Sequence, residues 1–127
     1  MVAVEFAVVA IPMFLFIFAS IEFGRVLMAV QSLEEAARAG CREAILGSAT
    51  DRSVESEVSE AMKMAGIANH SVNITPVALT GAAQWAPVTV RVNASLNDMT
   101  WLPIPGFFGD QTFSGTCTLP REAANTN

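Results

Sequence analysis

Met1–Arg25 reads MVAVEFAVVAIPMFLFIFASIEFGR, and its reading fixes the architecture of everything that follows. Phe6 to Ile21 carries no formal charge. As a helix this run covers ~24 Å, a little short of a bilayer's ~30 Å hydrocarbon core. Extending it to Met1 and Val30 brings in Glu5, Glu22 and Arg25. The apolar side chains from Val8 to Phe18 cover every side of a helix, so lipid or other helices must surround it. A secretory signal peptide fits poorly, because nothing basic precedes the apolar run. That absence predicts an N-terminus already trimmed by processing. Pro12 lacks an N–H and frees the carbonyl of Val8, so a bend is expected there. Membranes and packed bundles tolerate such a proline.

Glu5 is the anomaly. A carboxylate within a bilayer costs roughly 2.5–3.5 kcal/mol if priced like Asp. It is kept more easily if a cation meets it. The cation available near that depth is an α-ammonium, either that of Met1 one turn away or that of a neighbouring, staggered copy. The second source also explains a helix that is apolar all round.

From Arg25 onward the apolar residues form a stripe: Val26, Val30, Leu33, Ala37, Cys41, Ala44 and Ile45. Spacings of three and four place them on one helical face. Glu34 and Arg38 make an i,i+4 ion pair of small value. The long helix is expected to end near residue 46, with Gly47 as its stop. A second helix is expected over about 52–65, with Val54, Val58, Met62 and Ala65 on one face and Gly66 closing it. Period-two alternation then predicts strands at about 71–78, 87–96 and 112–119. Their dry faces are Val72, Ile74 and Pro76; Val88 to Leu96 on even numbers; and Phe113, Gly115, Cys117 and Leu119. Thr, Ser and Asn fill the wet faces. The fold class is therefore α+β. An apolar filament-core or transmembrane helix (1–24) leads into a globular domain (25–127) of helices on a small antiparallel sheet of about three strands. The C-terminal REAANTN is expected to fray.

The segment Met99–Gln111, MTWLPIPGFFGDQ, is too apolar for a free surface loop. Trp101, Leu102, Ile104, Phe107 and Phe108 suit either a lid over the sheet edge or a contact between subunits.

Composition argues against several functions. The chain of 127 residues has a net charge of −5 and no basic patch, a poor match to nucleic acid. Two cysteines and one histidine supply no recognisable metal set, and none is expected. His70, beside Asn69, reads as a solvated loop residue. No phosphate loop, zinc-hydrolase motif or activated nucleophile occurs, so neither catalysis nor a cofactor is expected. Three sequons begin at Asn69, Asn73 and Asn93 and are candidate glycosylation positions, with chance occurrence in a Ser/Thr-rich chain as the simpler explanation.

A combination of features resembles processed type IV pilin-like proteins of the Tad class, in particular the TadE-like subunits. These are Glu5 followed by Phe6, Pro12 within the apolar run, IEFGR (Ile21–Arg25) and AARAGCREA (Ala36–Ala44). The resemblance implies a precursor cut by a prepilin peptidase, so that Met1 is a mature residue. It also implies insertion in the inner membrane, extraction by the Tad assembly machinery, and a helical homopolymer at the cell surface. Met1, Glu5, Phe6 and Pro12 are then the assembly residues. TadE-like subunits are regarded as minor pseudopilins that prime or tip a filament of another pilin, which is the alternative role. A bitopic membrane-anchored binding module that never polymerises is a third. With the domain outside the cytosol, Cys41 on the helix stripe and Cys117 on a dry strand face are a candidate disulfide.

Overall fold

The computed structural model describes residues 1–76, 78–100 and 111–122. Helix α1 runs Val2–Ala44 without a break at Pro12, and α2 runs Asp51–Met64. Strands β1 (Ser71–Thr75), β2 (Pro87–Ser95) and β3 (Thr112–Pro120) form an antiparallel sheet in the order β1-β2-β3. A short turn of helix, α3 (Leu96–Met99), follows β2. The α+β architecture is the one expected from the sequence.

The burial along α1 divides it in two. From Val2 to Ile21 only Ala10 is even half-buried. From Leu33 the stripe is fully buried through Ala36, Ala37, Gly40, Cys41 and Ala44. This half lies over β2 and β3, with α2 beside it. Small residues make the close approach feasible. A Cβ at Gly40 would stand 2.6 Å from Cγ2 of Val58 and 3.1 Å from Cγ1 of Val90, so the helix is wedged between α2 and the sheet. Val54, Val58 and Met62 of α2 and Val88, Val90 and Val92 of β2 complete the core.

The ends of the elements follow local chemistry. Thr50 and Ser53 form a capping box at the start of α2, each side chain accepting from the other's backbone N–H at 3.2 Å. Gly66, at φ 75°, closes α2: Ile67 N–H reaches Met62 O and Gly66 N–H reaches Lys63 O, a Schellman arrangement. Gly47 is not a left-handed stop; α1 ends two residues earlier than expected, with Ile45 N–H bonded to Cys41 O. Strand β1 stops at Thr75 rather than 78, because Pro76 has no N–H for the ladder. Leu96, expected to end β2, instead begins α3, where Ser95 Oγ donates to Asp98 Oδ2 at 2.5 Å.

The outer face of the sheet is polar, as the alternation predicts. The register aligns Thr75, Thr89 and Thr118 in one row and Asn73, Arg91 and Thr116 in the next. Thr89 and Thr118 hydroxyls lie 2.8 Å apart, and Arg91 Nε donates to Thr116 at 3.3 Å.

Candidate assembly surface and the positions around it

The apolar half of α1 exposes Phe6 at 70%, Phe16 at 75%, and Val8, Ile11 and Leu15 at similar levels. None of its most apolar 18-residue stretch is buried within the chain. The helix is long and apolar enough to cross a membrane. Backbone polar groups there are satisfied by the helix itself. The hydroxyl of Ser20 also turns inward, donating to Phe16 O at 2.8 Å, so it asks nothing of its surroundings. Val9, Pro12, Met13, Phe16 and Ile17 line a shallow apolar groove along one side.

Met1 is the N-cap residue and its carbonyl accepts from Val4 and Glu5 N–H. Glu5 lies in the first turn, fully on the surface, with Phe6 beside it and Pro12 further along the helix. An acidic group suits the positive end of the helix dipole. Among the described residues the ion pairs are Glu22–Arg25 at 3.6 Å and Glu34–Arg38 at 3.5 Å; neither involves Glu5. Glu22–Arg25 is an i,i+3 pair, and it marks where the apolar half gives way to the domain.

Cys41 and Cys117 are free thiols on the two sides of the α1–β3 contact, with Cys117 packed against the core that contains Cys41. Cys41 is buried and Cys117 half-buried. Burial, reinforced by the hydrogen bond and charge of Cys117, pushes the Cys41 thiol up to about 12.

The three sequon asparagines sit on or beside the sheet. Asn69 donates to Asp98 Oδ1 at 2.9 Å, Asn73 is exposed on β1, and Asn93 donates to Ser71 at 3.3 Å. His70, expected to be solvated, is half-buried with Nδ1 shielded from solvent. Trp101, Leu102, Ile104, Phe107 and Phe108 lie outside the described residues.

Arg121 overturns the expectation of a fraying REAANTN at its first two positions. It is 4% exposed. Its guanidinium donates to Leu79 O and, at 3.5 Å, to Gly47 O, while its N–H bonds Ala86 O at 3.0 Å. Glu122 N–H then reaches Ile45 O at 3.0 Å. Asp51 holds the same loop from the other side, accepting from Leu79 N–H at 3.1 Å. The chain after β3 therefore ties the end of α1 to the connection between β1 and β2. An arginine after Leu-Pro gives no sequence signal for this, because its carbonyl partners converge from distant segments.

Residues 1–42 match the family model described as TadE-like protein. No curated protein and no solved structure matches the chain. The N-terminal third is thus TadE-like in sequence. The match covers the apolar half of α1 and most of the stripe that packs on the sheet.

Proposed function

We propose that this chain is a structural subunit of an extracellular Tad-class, type IV pilus-like filament. It polymerises through the apolar half of α1, with Glu5 pairing the α-ammonium of a neighbouring subunit. The observation that carries the proposal is the wholly unburied apolar stretch of α1. A helix apolar on all sides removes that area from water only inside lipid or among other helices, at about 25 cal/mol per Å². Both environments serve in turn: the inner membrane before assembly, and the bundle of α1 helices at the filament axis afterwards. The α+β domain forms the outer layer. A prepilin peptidase exposes the α-ammonium, and the Tad machinery lifts the subunit out of the membrane.

Glu5→Ala is the test. The domain should stay folded, because its core begins at Leu33, ~42 Å of helix away. Filaments should become rare, since an ammonium docked without its carboxylate is a broken buried pair, typically costing ~3–5 kcal/mol. Fibres are counted by electron microscopy, with processing checked by N-terminal sequencing. Normal fibre numbers from a processed Glu5→Ala subunit would overturn the pairing.

The TadE-like match over residues 1–42 favours a second reading, a minor pseudopilin that primes or tips a filament of another pilin. The subunit composition of purified filaments separates the two. A large excess of another pilin supports the second. A detergent-solubilised monomer that never enters fibres supports a bitopic binding module instead.

A further inference from the structure

We propose that Cys117 is the entry point of an oxidative modification site that ends in a Cys41–Cys117 disulfide, formed by exchange with the disulfide of a thiol oxidoreductase outside the cytosol. Three observations carry it. Cys41 lies in the core face of α1 that packs on β3, and Cys117 of β3 packs against that same core, so no element has to move far to join them. Their burial is unequal, with Cys41 closed off inside the core and Cys117 half-buried. Finally, Cys117 opens onto a surface groove lined also by Gln31, Glu34, Glu35, Arg38, Arg42 and Leu119. Leu119 supplies an apolar floor for a docking partner.

The order of events follows from access. Cys117 thiolate attacks one sulfur of the partner's disulfide. A Cys117–partner S–S bond forms, the partner's own S–S bond breaks, and its second sulfur leaves as a thiolate that takes up a proton. Cys41 then gives up its proton and attacks Cys117 Sγ. The Cys41–Cys117 bond forms as the mixed disulfide breaks, and the partner departs as a dithiol. Two electrons and two protons pass from the chain to the partner. Burial makes Cys41 a poor first nucleophile but places it to resolve the mixed disulfide.

The product would fasten the buried half of α1 to β3, an edge strand of the sheet. This chemistry requires only that the domain lie outside the cytosol; it does not depend on polymerisation.

The test uses the full chain in detergent, reduced, then treated with 2-hydroxyethyl disulfide as an uncharged probe. Intact mass is followed after quenching with an alkylating agent in denaturant. The wild type should lose both alkylatable thiols with no retained adduct. Cys41→Ser should stop as a single mixed disulfide at Cys117, and Cys117→Ser should react far more slowly. Two alkylatable thiols in folded, probe-treated wild type would overturn the proposal. Adduct formation at Cys41 in Cys117→Ser as fast as at Cys117 in Cys41→Ser would overturn the assigned order.

Discussion

Gly115 of β3 lies directly beneath the main chain of Leu33 in α1. A Cβ at Gly115 would press into the Leu33 carbonyl and stand 2.6 Å from Glu34 N. The obstacle is backbone, which cannot swing aside as a side chain can. Gly115→Ala should therefore destabilise the domain by about 1–3 kcal/mol through overpacking, lowering the urea midpoint of the full chain in detergent. An unchanged midpoint would mean that α1 can lift from β3 without loss.

Gly40 presents the opposite case, because its neighbours are side chains. Alanine there gains up to about 1 kcal/mol of helix propensity but meets Val58 and Val90. Gly40→Ala should be destabilising alone and much less so on a Val58→Ala background. Additive effects in the double-mutant cycle would contradict the wedge geometry.

Arg121→Met should cost more than its position near the C-terminus suggests. It leaves the Leu79 and Gly47 carbonyls without their charged donor, and hydrogen bonds to charged groups contribute about 1.5–3 kcal/mol each. Arg121→Lys should recover little, since an ammonium lacks the fork that spans two carbonyls. Hydrogen exchange at Leu79, whose N–H is held by Asp51, gives a local readout. Exchange there should quicken in both variants.

Thr50→Ala removes one half of the capping box of α2 and should cost ~1 kcal/mol in denaturant unfolding. Thr50→Ser should be close to neutral, because the acceptor oxygen is retained.

Asp98 gives a pH dependence with a defined sign. The Ser95 hydroxyl first, and the Asn69 amide second, hold its carboxyl below the usual carboxylate value. A lowered folded-state pKa contributes stability above the unfolded value and loses it as the pH falls through the folded one. The wild type should therefore lose stability relative to Asp98→Asn only on the acid side of the ordinary Asp range. Parallel acid profiles for the two proteins would show that the Ser95 and Asn69 contacts do not favour the charged form.

The large divisions of the fold were legible because they are written in composition and period. All-round apolarity set the first half of α1 apart, and spacings of three and four placed Leu33, Ala37 and Cys41 on the buried face. Alternation placed Val88, Val90 and Val92 inward and Thr89, Arg91 and Asn93 outward. Leu96 continues the even-numbered apolar pattern of β2, so alternation alone does not show that the chain turns into α3 after Ser95. Arg121 was illegible for a different reason. Its burial depends on carbonyls from Leu79 and Gly47 that meet only after α1, α2 and the sheet have docked. The Glu5–Phe6–Pro12 combination was readable as chemistry, since a carboxylate in an apolar run is costly unless a cation meets it, and among the described residues no ion pair involves Glu5.

Because α1 is one continuous helix from Val2 to Ala44, the anchor and the domain share a common rotational phase. Each residue between Ile21 and Ala29, where α1 first packs against the domain core, sets the domain's azimuth by ~100° and its height by ~1.5 Å. Deleting a single residue there would leave both halves chemically intact, yet turn the threonine rows of the sheet toward a different neighbour in any ordered array. A seven-residue insertion would return the azimuth to within ~20° while raising the domain ~10 Å. Lattice geometry in such an array would thus be written in the length of a segment that touches neither the bundle axis nor the domain core.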